Sequence, residues 1–280
     1  MITLAPARPR ILPGFSLSLG ITLLFLCLIV LLPISGLLWQ LGQLDLADYL
    51  RIMGSDRVLA ALRVTITAAA AATLINGIFG LILAWVLTRY RFRGRGLMDA
   101  LVDLPFALPT AVAGIALVAL YDKSGWIGGL LERAGFQVAY TWWGIVIAMI
   151  FTSIPFAVRA IQPAIEELDP DEEAAALTLG ASGPQRFLHV VLRPLLPSIL
   201  TGVGLSFVRS LGEFGAVIFI AGNLPYKTEI ASLLILIRLD EFDYPAAAAI
   251  AGTLLALSLV LLVAINVAQN RLQSYLRSGG

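Results

Sequence analysis

The sequence predicts an all-α membrane protein with six transmembrane helices, and its composition and charge spacing lead to this prediction. Apolar residues make up 59% of the 280 residues, charged residues only 13%, and the mean hydropathy is +0.91. A soluble domain is about half apolar and about a quarter charged. The net charge of +1, the single cysteine and the single histidine also argue against a nucleic-acid-binding protein, a disulfide framework and a metal cluster.

Runs without charge locate the spans in chain order, because a helix needs about 20 mostly apolar residues to cross a bilayer. Five runs are free of charge, and a sixth, between Arg193 and Lys227, is interrupted only by Arg209 and Glu213. The predicted spans lie near residues 14–38, 64–87, 100–121, 142–162, 198–221 and 246–268. The apolar run 230–237 is too short to span, so it predicts a buried or interfacial helix.

Lysine and arginine predict the orientation, since they are enriched in cytoplasmic loops. The termini and the second and fourth loops together hold eleven of these residues, whereas the other three loops hold seven. The densest cluster, RYRFRGR at 89–95, directly follows the second span. Both terminal segments, 1–13 and 269–280, are therefore expected in the cytoplasm.

The fourth loop, residues 163–197, is predicted to form two short helices. Asp169 is a good N-cap before Pro170, and Gly180 suits a helix end. A second helix is expected to begin at Ser182 and to end before Pro194. The apolar faces of these helices either pack on the protein's own spans or bind a soluble partner.

The loop sequence EEAAALTLGAS resembles the cytoplasmic signature of bacterial ABC-importer permeases, in which a Glu-Ala-Ala motif precedes a glycine, here Gly180. Aligned on that glycine, the signature glutamate position holds Ala174, and Glu173 lies one residue earlier. Four further segments resemble the T-type permease of sulfate/thiosulfate importers: DLPFALPTAVAG (103–114), FTSIPFAVRAIQP (151–163), RSLGEFGAVIFIAGN (209–223) and EFDYPAA (241–247). Molybdate/tungstate permeases share a version of GEFGA and are the nearest alternative.

The resemblance implies a type I ABC importer permease fold in the bacterial inner membrane, without enzymatic activity of its own. Two partner ATPase subunits would bind ATP and magnesium, so this chain would hold no cofactor or metal and no catalytic residue. A homologous W-type permease and a periplasmic sulfate- or thiosulfate-binding protein would complete the complex, in contact with lipid and not with nucleic acid. The ATPase-coupling residues would be Glu173, Ala174, Ala175, Leu179, Gly180, Ala181, Ser182, Gly183 and Gln185.

Two charges are expected inside the membrane, where ionisable groups are costly and often functional. Arg209 and Glu213 are four residues apart, so they can pair on one helix face. Ser206 and Ser210 are expected on the same face. This stripe either lines a translocation path or is a buried ion pair that fixes helix packing, and the sequence leaves both interpretations open.

Prolines predict a kink in the third span. Pro105, Pro109 and Gly114 make it a candidate gating hinge, with neighbouring helices satisfying the freed backbone groups. Arg159, at the inner end of the fourth span, is expected to extend to the lipid headgroups.

A different class of protein, an ATP-independent secondary anion transporter, is the main alternative. The sequence disfavours it because no pattern of broken helices in repeated halves is evident. The structured fourth loop would also have no role there. Neither the preferred oxyanion nor the choice between a homodimer and a heterodimer follows from the sequence.

Overall fold

A computed structural model describes residues 15–278, and every regular element in this part of the chain is a helix. The predicted N-terminal segment 1–13 lies outside the described residues. The helices are α1 Phe15–Gly42, α2 Leu46–Met53, α3 Asp56–Arg89, α4 Arg95–Val102, α5 Leu104–Ala107, α6 Thr110–Tyr121, α7 Gly128–Arg133, α8 Trp142–Glu166, α9 Pro170–Thr178, α10 Gly183–Leu211, α11 Val217–Ile220, α12 Ala231–Asp240 and α13 Tyr244–Ser278.

Five of these helices, α1, α3, α8, α10 and α13, are long and apolar enough to cross a bilayer. Each contains an 18-residue stretch with at most two charged residues. Their apolar side chains remain widely exposed on the bundle surface, which suits a lipid environment. The predicted all-α membrane fold is thereby confirmed.

Helix α8 lies at the centre of the bundle, between α3 and α10. It contributes fully buried side chains such as Ile145, Met149 and Ile161 to the apolar core. Small residues allow the three helices to approach closely: a Cβ atom on Gly80 would lie 2.8 Å from the Ala157 Cβ, and one on Gly202 would lie 3.0 Å from the Ala157 oxygen. Close backbone packing therefore takes the place of large interlocking side chains here.

The third and fifth predicted spans differ from the structure. The third, 100–121, is not one helix but α4, α5 and α6, because the prolines interrupt it more strongly than a kink requires. The fifth, 198–221, is displaced: α10 begins at Gly183 and ends at Leu211, where Gly212 follows. The predicted short helix at 230–237 is confirmed as α12, with Leu233 and Leu234 buried.

The bundle has two ends, which we name by their connections. The loop end carries residues 89–99 and 167–182, and the opposite end carries residues 121–141 and 222–243. At the opposite end, Arg57 makes two hydrogen bonds, of 2.7 and 2.9 Å, to the buried carboxylate of Glu229. This pair fixes the start of α3 against the segment that leads into α12.

Candidate functional site

The signature loop, residues 167–182, connects α8 to α10 and contains α9. The predicted start of α9 is confirmed: the Asp169 carboxylate accepts a 2.9 Å hydrogen bond from the backbone N–H of Asp171, and Pro170 occupies the first turn. Gly180 has φ of +84°, a left-handed conformation that glycine adopts without strain, and it turns the chain after α9.

The prediction that the loop contains a second, separate short helix is wrong. Ser182 does cap a helix start, because its backbone N–H donates to the Gln185 side chain (2.9 Å). However, this helix continues through a π-helical turn at Phe187–Val191 into the rest of α10. The wider turn precedes Pro194 and Pro197, which lack an N–H, and a spanning helix tolerates such prolines where its neighbours satisfy the backbone.

An ion pair connects the signature loop to the second spanning helix. The Glu173 carboxylate pairs with Arg89, the last residue of α3, and both side chains are about one quarter exposed. The Arg89 guanidinium also lies 5.1 Å from the centre of the Trp85 ring. The Trp85 ring in turn packs edge-on against Phe187 of α10, at 6.1 Å between centroids. The loop is therefore tied to both α3 and α10.

The corner after α9 exposes apolar side chains. Leu179 is 87% exposed and Leu177 is 59% exposed. Ala174, Ala175, Gly180 and Gly183 are exposed as well, whereas Ala181 is half-buried. Ser182 and Gln185 bond to one another in the cap, which leaves the leucines as the principal surface that the bundle itself does not cover.

The third spanning segment is broken at residues 103–109. Pro105 lies in the single turn of α5, and Pro109 is the N-cap of α6. Leu108 is extended, with φ of −87° and ψ of +135°, as expected for a residue that precedes proline. Of the candidate hinge residues, Pro105 and Pro109 thus belong to an interruption of the helix, whereas Gly114 lies in the second turn of α6.

Arg159 of α8 clamps this break, and its predicted extension to the headgroups is wrong. Its guanidinium donates to both carboxylate oxygens of Asp103 (2.9 and 2.6 Å), and to the carboxylate and backbone oxygens of Asp99 (2.7 and 3.0 Å). It also donates to the Gln162 side chain (2.6 Å). All three side chains are partly exposed, and the two carboxylates already satisfy the guanidinium within the chain.

Arg209 and Glu213 pair at 2.7 Å, but not within one helix as predicted. Helix α10 ends at Leu211, so Glu213 lies in the turn that follows. Its carboxylate is buried and also accepts from the backbone N–H of Ala216 (3.0 Å), while Arg209 remains 31% exposed. The pair therefore holds the turn against the end of α10.

Ser206 and Ser210 do not share a face with Arg209, contrary to the prediction. Both are fully buried, and each hydroxyl donates to the Ser153 hydroxyl of α8 at 3.0 Å. The Asn76 amide of α3 donates to Ser153 (2.8 Å) and to Ser206 (3.2 Å). Residues 206 and 210 are about one turn apart, whereas residue 209 lies about 60° from residue 206 and about 100° from residue 210 around the helix. The serines are part of a three-helix packing contact.

The two interrupted spans meet at what we call the central junction, formed by residues 103–114 and 212–216. A Cβ atom on Gly215 would lie 2.1 Å from the Thr110 hydroxyl oxygen, and one on Gly114 would lie 2.5 Å from the Ala216 carbonyl oxygen. Along α8, the adjoining residues fall between Gly144, next to Ile220, and Ser153, bonded to Ser210. The contact between the two interruptions thus lies beside the first half of the central helix, which runs from Trp142 to Glu166.

This arrangement places interrupted backbone, an ion pair and a partly exposed guanidinium together inside an apolar bundle. Irregular backbone at such depth is tolerated where protein buries it or where it lines a polar cavity. The sequence showed no pattern of broken helices in repeated halves, but in the structure both the third and the fifth predicted spans are interrupted.

Sequence reasoning missed several residues of these contacts. Asn76 carried a signal, since it is the one amide in the apolar run 64–88. No sequence signal identified Asp99 and Asp103 as partners of Arg159, because they precede it by 60 and 56 residues. The same holds for Arg57 and Glu229, which are 172 residues apart.

Comparison with known proteins adds a family match. Residues 76–277 match the family model described as binding-protein-dependent transport system inner membrane component. The chain is 58% identical over 268 residues to the sulfate transport system permease protein CysT of Salmonella typhimurium, covering 96% of this chain and 97% of that protein. It is 58% identical to the protein of the same name in Escherichia coli K12 (95% and 96% covered) and 45% identical to that of a Synechocystis strain (91% and 90%).

Solved structures support the fold. The chain superimposes on a bacterial ABC transporter involved in the import of the acidic polysaccharide alginate with a TM-score of 0.74, at 18% identity. The match covers 92% of this chain and 96% of that chain. A second structure, of a bacterial alginate ABC transporter in complex with a pentasaccharide-bound periplasmic protein, also gives a TM-score of 0.74, at 19% identity. At this identity the likeness concerns the fold alone.

We expect the Arg159 clamp to couple energetically to Asp103. In a double-mutant cycle with Arg159→Gln and Asp103→Asn, thermal unfolding of the purified protein in detergent should give a coupling energy of about 1 kcal/mol, since the groups are only partly buried. The matched control is the exposed pair Arg51 and Asp48, for which the coupling should be near zero. Equal coupling in the two cycles would contradict a structural role for Arg159.

Proposed function

The chain belongs to the family of binding-protein-dependent transport system inner membrane components, and from this premise we propose that it is the permease subunit of an ATP-driven ABC importer that carries sulfate or thiosulfate across the inner membrane. The observation that supports this substrate is the 58% identity to sulfate transport system permease proteins over nearly the full length of both chains. The family resemblance predicted from the sequence motifs is confirmed.

The complex that we propose contains further subunits. Two ATPase subunits bind ATP and magnesium and perform the hydrolysis, so this chain acts as a permease and not as an enzyme. A homologous W-type permease pairs with it, and a periplasmic binding protein delivers the anion. The family name, and the alginate transporter with its bound periplasmic protein, support a complex of this general composition. Helix α1, which has no buried residue in the described chain, offers surface for a second permease or for lipid.

We place the loop end of the bundle and both termini in the cytoplasm. The excess of arginine in the connections at this end supports that orientation. The signature loop then faces the ATPase subunits, with Leu177 and Leu179 presented to them. A displacement of the loop reaches α3 through Glu173 and Arg89, and reaches α10 directly through Ser182.

We propose that the central junction forms part of the translocation path. Because Glu213 is buried and neutralises Arg209, the pair chiefly fixes the turn after α10 and does not form a strong anion site. A weak site suits an importer in which a binding protein provides selectivity, since tight binding would slow release. The candidate hinge residues Pro105, Pro109 and Gly114 then allow α6 to move against the turn.

The similar proteins described above favour sulfate as the transported anion over molybdate and tungstate. They are sulfate transport proteins, which supports sulfate over molybdate or tungstate. An ATP-independent secondary transporter conflicts with the family to which the chain belongs.

The proposed function is tested by uptake of labelled sulfate into a bacterial strain that lacks its own sulfate permease. Expression of this chain with its partner subunits should restore uptake, because the junction and the loop would be complete. Excess thiosulfate should compete, and excess molybdate should compete much less. Sulfate movement into vesicles that contain the purified chain alone, without ATP, would contradict the proposal.

The coupling role of the loop predicts that Leu179→Glu releases the ATPase. A charge at this exposed apolar corner should weaken ATPase binding by about tenfold, as for an interface anchor worth about 1.4 kcal/mol. Co-purification in mild detergent measures this. Leu130→Glu is the matched control, an exposed leucine at the opposite end, and should retain the ATPase. If both variants retain it equally, the corner is not the ATPase contact.

The ion pair predicts different behaviour for single and double variants. Arg209→Gln should destabilise the protein by about 3 kcal/mol, because it leaves Glu213 buried without its partner. The double variant Arg209→Gln/Glu213→Gln should recover most of the stability and most of the sulfate uptake. Thermal unfolding and uptake are measured on the same variants. Recovered stability with uptake still absent would instead assign Arg209 a direct contact with the anion.

A further inference from the structure

A second feature of the loop end lies on the outer face of α3 and plays no part in the proposed transport path. An apolar cavity of about 350 Å³, here called the aromatic groove, opens between α3 and α10. It is lined by Leu81, Ile82, Trp85, Val86, Tyr90 and Phe187. The first four of these residues lie on one face of the final turns of α3, so this part of the groove runs roughly 8 Å along the helix axis.

The groove ends at unpaired positive charge. The chain leaves α3 at Arg89 and continues through Tyr90, Arg91, Phe92 and Arg93 without helical structure. Arg91 and Arg93 are exposed and have no acidic partner among the described residues, whereas Arg89 is already paired with Glu173. The apolar groove therefore ends at Tyr90, and the two exposed arginines follow this residue directly in the chain.

We propose that the aromatic groove and the Arg91–Arg93 segment bind an anionic phospholipid. The acyl chains have the shape and polarity of the groove, and the phosphate of the headgroup complements the two arginines. Trp85 and Tyr90 mark the depth at which aromatic rings meet headgroups. A soluble acidic protein would match the arginines but not an apolar channel that continues along a spanning helix.

The position of the site links lipid to the loop. Trp85 and Phe187, which line the groove, also form the ring contact between α3 and α10. The Arg89 guanidinium lies over the Trp85 ring. A bound acyl chain packs against both rings and braces the Arg89–Glu173 pair from the membrane side. This goes beyond the proposed function and does not depend on which anion is transported.

Native mass spectrometry of the purified complex tests the proposal. The complex is stripped of lipid and titrated with equimolar phosphatidylglycerol and phosphatidylcholine of identical acyl chains. The unsubstituted protein should retain phosphatidylglycerol preferentially. Arg91→Gln/Arg93→Gln should lower the affinity for phosphatidylglycerol roughly 25-fold, at about fivefold for each arginine near a membrane surface. Arg63→Gln/Arg133→Gln, which removes two exposed arginines elsewhere, should leave this preference unchanged.

A second variant tests the groove separately from the charges. Ile82→Trp places a larger side chain in the groove at a half-exposed position and should weaken phospholipid binding. Soluble glycerol phosphate, which lacks acyl chains, should not compete with phosphatidylglycerol for the unsubstituted protein. Equal loss in the arginine variant and its control would overturn the proposal. Loss of bound ATPase with unchanged lipid binding would also overturn it, because the arginines would then belong to a protein interface. Lipid binding as predicted without sulfate transport would contradict the proposed function alone.

Discussion

The arrangement of the third span depends on the hydrogen bonds that the Arg159 guanidinium donates to both Asp99 and Asp103. The chain is interrupted at residues 103–109, where prolines remove backbone donors within an apolar bundle. Unsatisfied polar groups in that environment cost several kcal/mol each, so an interruption needs fixed partners. By anchoring α4 and Asp103 to α8, the clamp leaves α6 free to begin in a new direction and to pack on the turn at Gly215 and Ala216.

Helix α10 connects the central junction to the signature loop. Helix α10 extends without interruption from Gly183, beside the loop corner, to Leu211, beside the Arg209–Glu213 pair. At about 1.5 Å per residue this is roughly 43 Å, so one continuous helix joins the proposed ATPase contact to the proposed path. The polar contact of Asn76, Ser153 and Ser206 holds that helix against α3 and α8 near its C-terminal end. A movement of the loop after α9 is therefore transmitted to the central junction through one continuous helix, α10.

Local signals predicted the elements that depend on local chemistry. The apolar runs, the Asp169 cap and the Gly180 turn are all specified by neighbouring residues, and the structure contains them. The breaks were missed because proline has two outcomes in a spanning segment. Pro194 and Pro197 remain inside α10, whereas Pro109 lies between two helices, as the N-cap of α6. Which outcome holds depends on partners distant in sequence, such as Arg159. Arg209 and Ser210 are adjacent in sequence but about 100° apart around the helix. Spacing can separate their faces, but the partner of Ser210, Ser153 of α8, is 57 residues away and could not be predicted from it.

An electron cryo-microscopy map of the assembled complex tests the central claim most directly, because it resolves the backbone of the third span and the Arg159 side chain together. We expect density that is interrupted between Val102 and Thr110, with the guanidinium of Arg159 joined to both Asp99 and Asp103. One unbroken helix through residues 100–121, or an Arg159 side chain that extends to the lipid headgroups, would contradict the account.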